Sequence, residues 1–398
     1  MQLPNFAEFR LFKSIINEVS DSKISPHDAA LLDVLRAIAA SLVVIFHAKT
    51  YTLGGSEATT LDNIIYSVAN CGTQAVFWFF VLSGYLVGGP LVTEILKNGR
   101  MNVRKYITAR STRLYIVLIP ALIITGLFDY IRTSNFEMNA NAGFETILSY
   151  SALTAIGNIL FLQTTLVPTY GSNLALWSLA NEFWYYLIFP LLLAPIMSEV
   201  RIILKCCLFL LGVGTLVFLF YSNFSIVWLF SLWLMGVAAR VVPVKLMKSK
   251  SIAIILAVSA AVCFPAMHPY IGPVATLVVG LSFTNMLLSL RSDGPEARSS
   301  ITVAARRCAA FSFSLYITHL PLQHLLLTFH SGKSDPFLAL DPRSIEALAT
   351  IIILTFISVI FAYFFSLATE IHTESLRRWL LRSMKAGTKT ETSDLKFH

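Results

Sequence analysis

The chain has 398 residues, of which 56% are hydrophobic and only 13% are charged, whereas a soluble domain carries roughly a quarter charged residues. This composition excludes an ordinary soluble protein and predicts a helical membrane protein. The net charge of +8 does not indicate a nucleic-acid partner, because the basic residues lie between the apolar stretches. The five cysteines form no Cys-x-x-Cys pair, so neither a disulfide framework nor a metal site is expected.

The apolar stretches predict an all-α bundle of about ten transmembrane helices, because a helix needs about twenty residues to cross a bilayer. Residues 1–30 form a cytoplasmic segment before them, with apolar spacing that suits an interfacial amphipathic helix. Residues 147–167 are apolar but short, and we interpret them as re-entrant or interfacial. The membrane domain is predicted at 31–370 and a basic cytoplasmic tail at 371–398. The spans are predicted at residues 31–52, 68–91, 111–131, 175–196, 202–221, 225–242, 252–268, 271–290, 309–330 and 345–368.

The distribution of Lys and Arg gives this layout an orientation, because cytoplasmic loops are enriched in both. With the N-terminus inside, 25 of the 30 Lys and Arg residues fall on the cytoplasmic side. Four fall outside, and Arg36 lies within the membrane. The pattern therefore predicts that both termini are cytoplasmic.

Ionisable side chains inside spans are expensive and normally face a cavity or a partner. The first span carries two of them, Arg36 and His47, eleven positions apart. That spacing puts both on one helix face, roughly 16 Å apart along the axis. Either they mark a functional site, or Arg36 extends to the interface while His47 bonds a neighbouring helix. The predicted intramembrane group is Asp33, Arg36, His47, Glu182, His319 and His324.

Five stretches of the chain, taken in order, resemble the landmarks of the acyltransferase-3 family of membrane O-acyltransferases. The first, LLDVLRAIAASLVVIFHA, keeps that family's Arg-x10-His spacing. The resemblance covers about residues 30–370, and the order of the motifs makes coincidence a poor explanation. The other four are FFVLSGYLV (79–87), RSTRLY (110–115), LWSLANEFWYYLIFP (176–190) and SFSLYITHLPL (312–322).

The resemblance implies transfer of an acyl group, usually acetyl from cytoplasmic acetyl-CoA, to a hydroxyl of an envelope glycan or lipid-linked sugar. It also implies a bacterial inner-membrane location, with acyl-CoA as substrate and no permanently bound cofactor. Arg110 and Arg113 share a helix face beside Arg104 and Lys105, and similar pairs in the family are assigned to the donor. Topology alone would also explain such a basic cluster.

His47 matches the histidine to which the family assigns the role of general base, and a covalent acyl-histidine intermediate would use the same residue. Arg36 would bind the donor or stabilise developing negative charge, with Asp33 one turn away to hold it. Glu182 needs a partner, and we expect it to orient His47, pair with Arg36 or form a structural ion pair. The preceding residue, Asn181, departs from the family's apolar pattern.

Four further residues are possible site lining. For Ser83, beside Gly84, helix packing is the preferred interpretation over a hydroxyl in the site. Trp177 is predicted to anchor at the membrane interface. His319, beside Tyr316, either lines the cavity or makes an interhelical hydrogen bond.

Two other classes of function compete with an enzyme. Ten spans with polar residues at mid-depth also describe a transporter or flippase of a glycan or lipid-linked intermediate. That class is typified by inverted repeats, and none is visible in the sequence. A non-catalytic scaffold would leave the Arg36 and His47 stripe unexplained.

Overall fold

The computed structural model describes residues 26–54, 69–136, 148–241, 247, 249–290, 309–333 and 336–394. The interfacial helix predicted for residues 1–30 lies almost wholly outside these ranges. Within them the chain is helical apart from loops and two isolated β-bridges. The twelve α-helices of these ranges are α1 Pro26–Leu53, α2 Gly72–Ser83, α3 Gly89–Asn98, α4 Val103–Asn135, α5 Ala152–Ile159, α6 Leu176–Leu192, α7 Ile202–Ser222, α8 Phe224–Val241, α9 Lys250–Leu290, α10 Ser312–Ser331, α11 Ile345–Ala368 and α12 Thr373–Asp394.

Eight helices among the described residues are long and apolar enough to cross a membrane. The predicted all-α membrane bundle is therefore confirmed, and two features account for the difference from ten spans. Helix α9 has 41 residues, about twice the length of one crossing, and its backbone leaves helical geometry at Ile271 among three prolines. It covers the two spans predicted at 252–268 and 271–290. Helix α10 is the other predicted span, and it is too polar to count among the eight.

Helix α10 lies inside the bundle and packs against α1, α4 and α11. Most of its side chains are buried. Several of these are polar and fully enclosed, namely Ser314, Thr318, His319, Gln323 and His324. A helix with so many polar side chains is stable in a membrane only when other helices surround it. The centre of the bundle is therefore a polar helix within apolar ones.

Helices α2 and α8 cross with their backbones in direct contact. A Cβ atom added at Gly84 would lie 1.8 Å from the carbonyl oxygen of Trp233, and one at Gly236 would lie 1.9 Å from that of Val81. The packing role predicted for Gly84 follows from this contact. A π-helical turn, Gly84–Gly88, begins at the crossing and joins α2 to α3. Single π turns within helices are frequent at functional sites, and this one follows Ser83 directly.

The segment predicted at 147–167 does not form a full span. Helix α5 has eight residues, about 12 Å, against a core of about 30 Å. The chain then turns back, and the Asn158 amide holds the turn by donating to the Pro168 carbonyl (2.9 Å) and accepting from the Tyr170 amide (3.2 Å). This geometry matches a re-entrant or interfacial element.

The predicted basic tail also forms a helix. Helix α12 follows α11 after a 3-10 turn, Glu370–His372, and packs against α4. Its first turn carries an exposed ion pair between Arg377 and Glu374. The turn at Glu370 brings the C-terminal part of the chain to the ends of α4 and α10.

Candidate active site

The bundle encloses a cavity of about 310 Å³ in which four of the predicted charged residues meet. Arg36 comes from α1, Arg110 and Arg113 come from α4, and Glu182 comes from α6. Most of the remaining wall is apolar, so these charges are concentrated in one place. The other polar residues that line the cavity are Ser83, Ser178, Tyr186, Ser312 and Tyr316.

Arg110 and Arg113 each lie over an aromatic ring. The guanidinium carbon of Arg110 is 5.6 Å from the centre of the Tyr186 ring, and that of Arg113 is 5.9 Å from the centre of the Phe313 ring. The attraction between a guanidinium and an aromatic face does not use the N–H groups as hydrogen-bond donors to an oxygen. Because both residues line the cavity, this arrangement suits an anionic group bound there.

Arg36 lies beside Asp33, one helical turn earlier, as the sequence predicted. Their closest charged atoms are 3.8 Å apart, and the two side chains are 15% and 27% exposed. Arg36 also lines a second cavity of about 280 Å³, which lies towards the predicted cytoplasmic side. The two cavities share three residues, Arg36, Arg113 and Phe313. A ligand that enters from the second cavity therefore meets both arginines.

Glu370 lines the second cavity and was not among the predicted site residues. Its carboxylate accepts hydrogen bonds from the backbone amide (3.0 Å) and the hydroxyl (2.9 Å) of Ser314 in the first turn of α10. A carboxylate is favourable at a helix N-terminus. The one feature of the sequence that could have indicated Glu370 as a site residue was its position at the end of the last predicted span. Spacing along the chain did not connect it with Arg36 or Arg113.

Glu182 is held by hydroxyl groups. Its carboxylate accepts a hydrogen bond from the Ser83 hydroxyl (2.8 Å) and another from the hydroxyl of Tyr186. The indole of Trp233 donates in turn to the Ser83 oxygen (3.1 Å). These contacts differ from the predicted ones with His47 or Arg36. Ser83 thus projects into the site, and the packing preferred for it in the sequence belongs to Gly84.

His47 lies beyond this cavity, further along α1. Its Nδ1 is 2.9 Å from the Val43 carbonyl oxygen, which can only accept, so Nδ1 carries a proton. In a neutral ring the lone pair is then on Nε2. Nε2 of His319 lies 3.1 Å from the same Nδ1, while Nδ1 of His319 donates to the Tyr316 carbonyl (2.7 Å). His319 thus makes an interhelical contact with His47, one of its two predicted roles.

The remaining predicted residues are divided between the cavity and its surroundings. Tyr316 lines the cavity, and its hydroxyl is 2.6 Å from that of Ser178. Trp177 is outside the cavity and half-buried, with its ring edge-on to Phe80 at 6.1 Å. Asn181 is buried in α6, at 1% exposure.

The fold and the site together define an integral membrane protein whose helices enclose a largely apolar chamber with a cluster of charged side chains, three of them arginines. A family model described as an acyltransferase domain matches residues 30–367. The chain therefore belongs to the acyltransferase-3 family, as the five motifs indicated.

Three relatives illustrate the similarity. The chain is 27% identical over 212 residues to the peptidoglycan O-acetyltransferase OatA of Listeria monocytogenes, a match that covers 52% of this chain and 29% of OatA. A Haemophilus influenzae protein of uncharacterised function is 33% identical over 120 residues, 29% of this chain and 46% of its own. A Staphylococcus aureus protein provisionally named an O-acetyltransferase is 26% identical over 173 residues, 43% of this chain and 25% of its own. Each match covers less than half of the relative. No solved structure matches the chain.

Proposed function

We propose that the protein is a membrane O-acyltransferase that moves an acyl group, in the first place acetyl, from cytoplasmic acyl-CoA to a hydroxyl of an envelope glycan or lipid-linked sugar. One observation carries the proposal. A single cavity inside an apolar bundle is lined by Arg36, Arg110, Arg113 and the Glu182 carboxylate, all of them in stretches that resemble the family's landmarks. Ionisable side chains that line a cavity inside a membrane bundle are expensive, and such residues mark functional sites.

The donor end of the site is the pair Arg110 and Arg113. Coenzyme A is an anion with several phosphates and a long thioester arm. The guanidinium groups of Arg110 and Arg113, which both line the cavity, would make charge-assisted hydrogen bonds to such phosphates. The apolar wall of the 310 Å³ cavity suits the arm and the acyl group. Acyl-CoA would act as a substrate, so no permanently bound cofactor is needed.

His47 would act as the general base. Its Nε2 lone pair takes the proton of the acceptor hydroxyl while that oxygen attacks the thioester carbonyl carbon. The carbon–sulfur bond then breaks, and the proton passes from His47 to the thiolate. A variant of this route, in which His47 itself carries the acyl group, uses the same nitrogen as nucleophile. His319 supports either route, because it contacts the opposite nitrogen, Nδ1.

The acceptor class rests on the relatives, one of which is named for O-acetylation of peptidoglycan. A hydroxyl on an envelope glycan or a lipid-linked sugar would approach His47 from the outer side of an inner membrane. The predicted orientation supports this arrangement, because it places Arg36 towards the cytoplasm and His47 in the outer half.

The proposal is tested by comparing envelope glycans and lipids from a strain that lacks the protein with those of the parent strain. Mass spectrometry should show loss of an ester-linked acyl mass, about 42 Da for acetyl. Expression of the wild-type protein in the deletion strain should restore that acyl mass, whereas expression of the His47→Ala variant should not. Unchanged glycans and lipids would argue instead for transport, since a transporter moves its substrate without modifying it.

A further inference from the structure

The donor cavity and the proposed base are separated in the structure. Arg36 lines the cavity, whereas His47, on the same helix, lies outside it. The intervening stretch of α1 presents Ala40 and Val44, both fully buried. Phe79 from α2 packs against the small buried cluster that these two residues form with Leu315 and Ala362. Acyl transfer brings the thioester and His47 together, so the wall of the cavity on this side has to open.

A second aromatic ring completes the barrier. Phe79 and Tyr316 both line the cavity, and their rings meet edge to face, with centres 5.8 Å apart. On its other side, the Tyr316 ring is 6.0 Å from that of His319, which contacts His47. Phe313, Tyr316 and His319 follow one another at intervals of three on α10, so His319 lies about 9 Å beyond Phe313 along the helix axis. Tyr316 thus lies between the cavity and His319, and Phe79 packs against the Tyr316 ring.

The two rings differ in how firmly they are held. The Tyr316 hydroxyl is anchored by Ser178 at 2.6 Å, and the Tyr316 side chain is 7% exposed. Phe79 is only half-buried, although its neighbour Phe80 is 3% exposed. Rotation of Phe79 about its side-chain bonds is therefore the smaller change that would join the cavity to His47.

We propose that the Phe79–Tyr316 pair determines which nucleophile reaches the acyl donor, by keeping water at His47 away from the thioester until an acceptor is bound. This inference rests on the proposed acyltransferase function and adds a selectivity role that the function itself does not require. Closed active sites suppress hydrolysis of reactive intermediates in this way.

The reaction that the pair suppresses is hydrolysis of the donor. His47 takes a proton from water, and the water oxygen attacks the thioester carbonyl carbon. The carbon–sulfur bond breaks, and His47 returns the proton to the thiolate. The products are a carboxylic acid and free coenzyme A, and the step needs no reactant besides water and the donor.

The experiment measures thiol release from acetyl-CoA by the purified protein in lipid nanodiscs, without any acceptor. Phe79→Ala should raise the rate about tenfold, as when a modest barrier is lost. Phe79→Leu keeps part of the side-chain volume and should raise the hydrolysis rate less. This variant keeps the test valid if Phe79→Ala folds poorly. Phe311→Ala is the matched control, because Phe311 packs against the same small cluster but lines neither cavity. The control should hydrolyse acetyl-CoA at the wild-type rate.

A second substitution decides whether the leak uses His47. In the double variant Phe79→Ala, His47→Ala, the extra hydrolysis should disappear. Persistence of the leak would overturn the inference, since water would then be reaching the donor by another route. Unchanged hydrolysis in both single Phe79 variants, with acetyl-CoA still bound, would also overturn it while leaving the proposed function intact. Failure of the wild-type protein to bind acetyl-CoA would instead remove the proposed function together with the inference.

Discussion

Arg36 and His47 lie on one helix but have different surroundings. Arg36 borders two cavities and pairs with Asp33, whereas His47 contacts a second histidine beyond both cavities. Arg36 is placed to contact an anion, whereas the tautomer of His47 is fixed by the Val43 carbonyl. The two ends of this helix can therefore be tested separately.

Loss of the imidazole should stop the chemistry. We expect His47→Ala to lower acyl transfer by about 10²- to 10⁴-fold, the usual contribution of a general base. Donor binding should persist, because His47 lies outside the cavity that holds the arginines. Transfer rates and equilibrium binding of acetyl-CoA measure the two effects. Normal transfer by this variant would exclude His47 as the base.

Loss of a guanidinium from the cavity should weaken binding of the acyl donor. Arg113→Ala removes hydrogen bonds to a charged group, each worth about 1.5–3 kcal/mol, so the KM for acyl-CoA should rise roughly tenfold or more. Arg201→Ala serves as the control, because Arg201 is exposed and lies outside both cavities. Its KM should match that of the wild type. An unchanged KM in Arg113→Ala would remove Arg113 from the donor site.

The sequence predicted contacts between residues correctly when both residues lie on the same helix. The pairing of Arg36 with Asp33 and the joint position of Arg110 and Arg113 follow from spacings of three. Contacts between helices were beyond reach, because spacing says nothing about which helices adjoin. Ser83 and Glu182 are 99 positions apart, and His47 and His319 are 272 apart.

At the scale of elements, the crossing of α2 and α8 depends on glycines without side chains. Gly84→Ala would place a methyl group 1.8 Å from a carbonyl oxygen, and the helices would have to separate. We expect a loss of about 1–3 kcal/mol in stability, the usual effect of overpacking. The melting temperature of the detergent-solubilised protein should fall accordingly.

A glycine in open space provides the comparison. Apart from its chain neighbours and the backbone of its own helix, Gly214 in α7 has no heavy atom within 4 Å of an added Cβ. Gly214→Ala should leave stability unchanged or raise it by up to about 1 kcal/mol, because alanine favours a helix more than glycine does. If both substitutions gave the same melting temperature, the close crossing of α2 and α8 would be wrong.

The elements themselves were predicted well when they are apolar. Helix α11 has the predicted bounds, 345 to 368, and α7 differs by one residue at its end. The prediction was poorer where a helix continues past its apolar part. Helix α1 is already formed at Pro26, the first described residue, and α4 begins at Val103, eight residues before its predicted span. In such helices the hydropathy falls where the apolar part stops, inside the helix, so hydropathy does not mark the true end of the helix.

At the scale of the whole molecule, the orientation in the membrane remains a prediction from charge. Two exposed side chains on predicted opposite sides can test it, Lys333 outside and Arg201 inside. In a background without the five native cysteines, an impermeant maleimide should label Lys333→Cys in intact cells. Arg201→Cys should be labelled only after permeabilisation. The reverse pattern would place the arginine cavity on the outer side and conflict with a cytoplasmic donor.

The polarity of helix α10 has a consequence for how the protein is made. Its partners α1, α4 and α11 shield Ser314, Thr318, His319 and His324 in the finished bundle. A newly synthesised α10 has no apolar surface sufficient to leave the translocation channel for lipid by itself. We expect it to remain at the channel until α11 follows, and to enter the membrane as part of a group. The last step of biogenesis would then be the one that creates the chamber, so an incomplete chain would carry no exposed catalytic site.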